Sequence, residues 1–398
     1  MGSRSGKRLE RSVLRRLGLA ALVVTIGAGL ALTSGCKPGV LKIGAAGPYS
    51  GELSKIGLDS YNAIKLAIDE INEAGGIGGR KVELVMGDDE AQSSKAQTVA
   101  EKFVADKAMM GVVGPMNSNC VISALPVYER GGLVMITQSG TNPEITESGY
   151  KVAFRLCPRD EGQGGAAGDF IVNELGKTRV YLIDDKGTYG QGLADQVEAK
   201  IRSLGVEPVG RGQVAADDRD FASLLTLIEQ KNPDLIYLAL PNPSQAAALI
   251  KQARAMNMAA VFMGGDGLKE KDQLIAATAG AAEGMYVTAI GKEITEVPEA
   301  ASFIEKFEAR HGSMSIFSGQ SYEAAKILLE AMKRASAAGK MTRAEVLNQM
   351  RTIKYRGILG FEVGFDGQGD VAGAMIYVLK VEGPDFVPVK DYPAEKPE

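Results

Sequence analysis

The chain has 398 residues, 45% apolar and 24% charged, with a formal net charge of −4; that length exceeds the usual single-core domain and points to two. His311 is the sole histidine, so a Ser-His-Asp triad would have to use it, and metal sites built from several histidines are excluded. Neither a G-x-S-x-G elbow nor a G-x-x-x-x-G-K-[ST] phosphate loop occurs.

In chain order, Arg4, Lys7, Arg8, Arg11, Arg15 and Arg16 come first, with one acid, Glu10. An uncharged apolar run, Leu17 to Leu32, follows and ends in Thr33-Ser34-Gly35-Cys36. A basic stretch, a short apolar run and small residues make a secretory signal over 1–35. A permanent membrane helix needs roughly 20 apolar residues, more than this run supplies. Gly35-Cys36 resembles a bacterial lipobox, in which the cysteine is lipidated, although Thr33 stands where that pattern prefers leucine. The expectation is an exported, periplasmic chain held to the membrane through a lipidated Cys36, with 36–39 as its linker. Residues 1–35 hold six bases and one acid, so the remainder carries 39 bases against 48 acids, a net charge of −9. So acidic a body argues against nucleic acid and anionic membrane surfaces as partners. Two further cysteines, Cys120 and Cys157, are too few for a disulfide framework and are expected as two separate buried thiols.

Residues 40–46 read as a buried strand. The spacing of Ile56, Ala63, Ile64, Ala67, Ile68 and Ile71 predicts a helix over 55–73, stopped by Gly75-Gly76-Ile77-Gly78-Gly79. Strands at 81–86, 110–114 and 133–137 then alternate with helices at 93–107 and 118–130. The pattern restarts after residue 158, with helices at 162–175, 190–204, 220–231, 244–257 and 268–279. Strands at 179–183, 206–214, 235–240, 260–263 and 285–289 separate them. Helices at 297–311, 318–336 and 342–352 follow, and strands near 360–365 and 373–381 close the chain. Such alternation predicts an α/β fold with two doubly wound lobes of parallel strands covered by helices on both faces. Ligands of such sheets sit beyond the carboxyl ends of the strands, so the loops after strands carry the candidate site.

Gly114-Pro115-Met116-Asn117-Ser118-Asn119 opens a helix, whose free N–H groups suit a carboxylate or simply take a side-chain cap. Thr137-Gln138-Ser139-Gly140-Thr141-Asn142-Pro143 gathers hydroxyls and backbone donors at a strand end. Asp184-Asp185-Lys186-Gly187-Thr188-Tyr189-Gly190 offers a tyrosine, and Gly264-Gly265-Asp266-Gly267 an acid among glycines; each also reads as an ordinary turn or cap. Asp88-Asp89-Glu90 lacks the EF-hand pattern of a calcium loop and reads as a solvated turn. Gly162-Gln163-Gly164-Gly165-Ala166-Ala167 fits G-x-G-x-x-A, but residues 157–161 separate it from the preceding apolar stretch, whereas a dinucleotide fingerprint follows its strand directly.

In their order and spacing, Gly47-Pro48-Tyr49-Ser50-Gly51, Asn72-Glu73-Ala74-Gly75-Gly76-Ile77, Thr141-Asn142-Pro143-Glu144, Phe154-Arg155-Leu156-Cys157-Pro158-Arg159-Asp160, Tyr189-Gly190-Gln191-Gly192 and Phe262-Met263-Gly264-Gly265-Asp266-Gly267 resemble the leucine/isoleucine/valine-binding family of type I periplasmic binding proteins. The resemblance covers nearly all of 40–381. It implies two doubly wound α/β/α lobes joined by three crossovers, 40–158 with 289–376 and 159–288 with 377–398. By this resemblance Ser118 matches the serine that binds the ligand α-carboxylate. Ser139, through its backbone, and Thr141 match the other first-lobe contacts. Tyr189 matches the second-lobe tyrosine, and Asp266 the acid that pairs the α-ammonium. Ile56 and Pro241 stand where the best-known members have an aromatic and a second tyrosine; Tyr49 and Phe317 remain as candidate apolar walls. The family implies a monomer without catalysis or cofactor that takes a small amino-acid-like ligand, apolar or aromatic in its side chain, to an inner-membrane ABC permease. A ligand-sensing receptor for an amide, urea or aromatic acid on the same fold is the alternative.

Overall fold

The structure, a computed structural model, describes residues 39–394; the signal-like segment 1–35 and Cys36 lie outside them. The first half opens with strand β1 (Leu41–Gly47), helix α1 (Ser54–Glu73) and strand β2 (Val82–Asp88). Helix α1 buries Ile56, Ala63, Ile64, Ala67, Ile68 and Ile71, the stripe expected from their spacing. Its stop depends on glycine. Gly76 has φ +77°, and a Cβ there would meet the Arg80 carbonyl oxygen at 2.1 Å. Helix α2 (Ser93–Ala105), strand β3 (Met109–Val113), helix α3 (Ser118–Gly131) and strand β4 (Met135–Thr137) continue the alternation. A four-residue helical turn, Glu144–Glu147, leads to strand β5 (Ala153–Arg155). These strands form a sheet of order β2-β1-β3-β4-β5, parallel throughout.

The chain then builds a second sheet. Helix α4 (Asp160–Asp169) runs into a π-helical turn, Phe170–Glu174. Strand β6 (Val180–Asp184), helix α5 (Thr188–Ser203), strand β7 (Gly210–Gln213), helix α6 (Ala222–Lys231), strand β8 (Leu235–Ala239), helix α7 (Pro243–Ala255), strand β9 (Val261–Gly264) and strand β10 (Tyr286–Ala289) follow. The helix expected over 268–279 is instead a 3₁₀ turn, Asp266–Leu268, and a π-helical turn, Lys271–Ala276. The break lets Asp266 and Glu270 both point inward and be buried.

Helices α8 (Ala301–His311), α9 (Ser318–Ala337) and α10 (Arg343–Arg351) return to the first sheet, with a two-strand ribbon of β11 (Tyr355–Arg356) and β12 (Glu362–Val363). One core joins Leu41, Ile43 and Val113 to Phe307, Leu328, Met332 and Val363. The approach of α9 to β3 is close: a Cβ on Gly111 would meet the Leu328 side chain at 2.7 Å. Strands β13 (Met375–Glu382) and β14 (Asp385–Pro393) then cross back, giving the order β14-β13-β10-β9-β8-β6-β7. This edge corrects the expectation of purely parallel sheets. Strand β13 runs antiparallel to β10, and β14 is antiparallel to β13 because the tight hairpin between them can join only antiparallel neighbours. Strand β14 itself is not anticipated; Pro388, Pro393 and mostly exposed side chains suit an edge position. Cys120 and Cys157 are both free and buried.

Candidate functional site

A small cavity of about 40 Å³ lies between the two sheets. Its lining comes largely from residues that follow parallel strands: Pro48 after β1, Met116, Asn117 and Ser118 after β3, Ser139 after β4, Tyr189 after β6, Pro241 after β8, Asp266 and Gly267 after β9. Leu53 and Ile56 from the start of α1, with Ile316 and Phe317 from the approach to α9, close it. Seven sequence-derived candidates therefore share one cavity: Ser118, Ser139, Tyr189, Asp266, Ile56, Pro241 and Phe317. Tyr49 and Thr141 lie behind it. The Tyr49 N–H donates to Asp88 Oδ1 (2.9 Å), and its ring turns into the first core, edge-on to Tyr61 at 5.5 Å. Thr141 is fully buried, and its carbonyl accepts the Asp160 N–H (2.9 Å).

The first-lobe wall offers donors. Helix α3 starts at Ser118, and no side chain caps it: Asn117, in extended backbone, makes no capping hydrogen bond. Its first N–H groups face the cavity end of the helix, where the dipole favours an anion. Ser118 Oγ accepts the Asn142 N–H at 3.3 Å. The Ser139 hydroxyl donates to the Met116 carbonyl (3.1 Å).

The second-lobe wall is anionic. Asp266 is 3% exposed, and its Oδ1 accepts hydrogen bonds from Tyr189 Oη (2.7 Å) and Gln163 Nε2 (2.8 Å). Burial pushes the Asp266 carboxyl up, and those two donors oppose the shift. Burial, helped by the Asp266 charge, also holds the Tyr189 hydroxyl well above its ordinary value, so it serves as a neutral donor. Asp160, at the start of α4, is fully buried, and neither carboxyl oxygen has a hydrogen-bond partner of good geometry among the described residues. Burial first, and then the Asp266 charge, push it up to about 7. The acidic turn after β2 is not fully solvated: Asp89 is buried, pushed up to about 7 by burial, and accepts the Ala91 N–H (2.9 Å).

The two walls are held together at the mouth. Glu52, from the first lobe, makes an ion pair with Arg219 and accepts a hydrogen bond from Asn242 Nδ2 (2.5 Å), both in the second lobe. Asn142 Nδ2 donates to the Thr188 carbonyl across the gap (3.3 Å). On the far side, Asp59 Oδ2 accepts from Ser315 N (3.1 Å) and Ser315 Oγ (2.6 Å), and Glu270 accepts the Ile316 N–H (3.3 Å). Pinned this way, Phe317 adopts φ +67°, a left-handed backbone that costs a non-glycine residue roughly 1–3 kcal/mol. Asp266, Ile316 and Phe317 also border a second, larger cavity of about 320 Å³ beside the crossovers, between Ala289–Glu293 and Gly373–Met375.

Sequence reasoning missed Gln163, Glu52, Asn242 and Arg219. Gln163 fell within the G-x-G-x-x-A false match. Its one sequence signal was its place three residues after Asp160, one turn into a helix that starts at a crossover. Glu52 sits beside the quoted Gly51, but its partners lie 167 and 190 residues away.

A model of the periplasmic binding protein family matches residues 40–385. An amino acid binding protein of Pseudomonas aeruginosa is 35% identical over 337 residues, 84% of this chain and 88% of that protein. The leucine-, isoleucine-, valine-, threonine- and alanine-binding protein of the same organism is 32% identical over 83% of this chain and 87% of its own length. Among solved structures, the branched-chain amino acid transporter substrate-binding protein LivJ of Streptococcus pneumoniae, in complex with isoleucine, superposes with a TM-score of 0.79 at 26% identity, covering 88% of this chain and 99% of that one. A solute-binding protein of R. palustris in complex with benzoate reaches the same TM-score at 21% identity, a likeness of fold alone.

Proposed function

The chain belongs to the periplasmic binding protein family, and from that premise we propose that it captures an amino acid in the inter-lobe cleft and delivers it to an ABC permease. The observation that carries this reading is the opposed polarity of the two walls. An uncapped helix N-terminus with Ser118 faces, across one cavity, the buried carboxylate of Asp266. A zwitterion entering a closed cleft loses strong hydration at both ends. The helix end and hydroxyl return hydrogen bonds to its carboxylate, and Asp266 pairs its ammonium. Ser139 contributes its backbone N–H, its hydroxyl being tied to Met116. Thr141 and Tyr49 support the first wall from behind. Ile56, Pro241 and Phe317 carry no charge, which favours an apolar side chain, branched-chain amino acids included.

In this reading the two lobes, 40–158 with 289–376 and 159–288 with 377–398, close by hinge motion about the crossovers. The closed form, as a monomer without catalytic activity, is the one the permease receives. A signal over 1–35 exports the chain, and a lipid on Cys36 keeps it at the membrane.

The test is a calorimetric and thermal-shift screen of the purified protein against the common amino acids, urea, short amides and aromatic acids. An aliphatic or aromatic amino acid at about 100 times its Kd should stabilise the fold by about 2.7 kcal/mol. A shift with amides or aromatic acids alone would overturn the zwitterion reading.

A further inference from the structure

The cavity at Ser118 and Asp266 measures about 40 Å³, room for about three waters. The adjoining chamber at the crossovers measures about 320 Å³, well above the roughly 150 Å³ in which an apolar cavity holds benzene. Asp266, Ile316 and Phe317 border both spaces. Resting on the amino-acid reading above, we propose that the chamber is the side-chain half of the ligand site, with Phe317 as its door, and that the protein selects α-amino acids with long or aromatic apolar side chains over alanine and valine.

Three observations support this. The larger space lies on the crossover side of Phe317, and of the groups assigned to the zwitterion only Asp266 reaches it. Ile290, Ile294, Met314, Leu359, Phe361 and Met375 give the chamber apolar walls, all from the segment that follows β10. Its lysines are committed to acids: Lys269 to Glu293 (2.8 Å), Lys271 to Asp385 (2.7 Å) and Lys292 to Glu296 (3.8 Å). The buried acid on its wall, Glu270, is occupied by the Ile316 N–H. The strained backbone of Phe317 holds its ring between the two spaces, packed toward Ile290, Ile376 and Cys157. A side chain reaching past Asp266 displaces that ring and fills the chamber while the zwitterion stays where it is.

The experiment is titration calorimetry of alanine, valine, leucine, phenylalanine and lysine into the purified protein and two variants. Ile294→Trp and Met314→Trp fill the chamber from two walls, away from the polar groups, so one remains informative if the other does not fold. The expected result is phenylalanine or leucine binding at least tenfold tighter than alanine. In either folded variant that preference should fall at least tenfold, with alanine within twofold of its original affinity. Equal affinity for alanine and phenylalanine in the unmodified protein would overturn the inference and leave the amino-acid reading standing, as would a variant that weakens both alike. Lysine binding tighter than phenylalanine would overturn the apolar assignment and turn the chamber toward Glu270. Failure of every α-amino acid to bind would remove the functional reading and this inference together.

Discussion

The two walls of the cleft come from similar sheets but are prepared in opposite ways. The first-lobe wall is left open. Helix α3 has no side-chain cap from Asn117, so its first backbone N–H groups are unspent at the cavity. The second-lobe wall is already assembled, with Asp266 held by Tyr189 and Gln163 before any ligand is present. The difference follows from charge. Neutral donors can wait for a carboxylate at modest cost, whereas a buried carboxylate stays ionised only with partners; Asp160, lacking partners of good geometry among the described residues, is pushed up to about 7.

Removing the charge on the assembled wall should have the largest effect. Asp266→Asn keeps the shape and should weaken α-amino acid binding roughly 30- to 4000-fold, the range for stripping one partner from a buried charge pair. Burial already pushes this carboxyl up, so a proton competes with the ligand ammonium. Affinity of the unmodified protein should therefore begin to fall, as pH is lowered, above the range in which an ordinary aspartate protonates, and the profile of the variant should be flatter. Calorimetry across pH checks both, and unchanged affinity in the variant would remove Asp266 from the site.

The open wall should respond less, and unevenly. Ser118→Ala deletes a hydroxyl aimed at the carboxylate and should cost about tenfold. Ser139→Ala should stay within about threefold, since that hydroxyl is spent on the Met116 carbonyl and the backbone N–H survives. Equal losses would mean that the two serines are used alike and that the contrast between them is false. The smallest effect is expected at the mouth. Glu52→Ala breaks a partly exposed pair, worth about 0–1 kcal/mol, so ligand release should quicken up to about fivefold with association little changed. Stopped-flow tyrosine fluorescence can follow this, the chain having no tryptophan; an unchanged release rate would show that this contact does not hold the lobes closed.

What could be read from the sequence was local. The stripe of Ile64, Ala67, Ile68 and Ile71, the glycine stop after it and the loops after each strand all depend on neighbours a few residues apart. The roles of Ser118 and Asp266 are different: each loop by itself also reads as an ordinary cap or turn, and only the resemblance to the leucine/isoleucine/valine-binding family set them opposite each other. What escaped was decided at a distance. Arg155 is fully buried because it pairs with Asp370 (2.6 Å), 215 residues on. Nothing in Ala153-Phe154-Arg155 shows that such a partner exists, so β5 was not predicted. Tyr49 looked like a cleft wall because its loop is in the right place; its neighbour Tyr61, two turns into α1, turns it away. The chamber behind Phe317 is bounded by segments from three parts of the chain and has no sequence pattern of its own.

The return of α8, α9 and α10 to the first sheet has a consequence for biosynthesis. The five parallel strands of the second sheet are complete once Ala289 has been made. The first core waits for Leu328, Met332 and Val363, although β1 was the first strand to emerge. Closing so long a loop adds little free-energy cost but slows assembly. Until α9 arrives, the face of β3 that it covers has no lid. A nascent chain of this protein should therefore pair the parallel strands of its second sheet while the core of the first is still unfinished, and complete that second sheet last, when β13 and β14 add its edge.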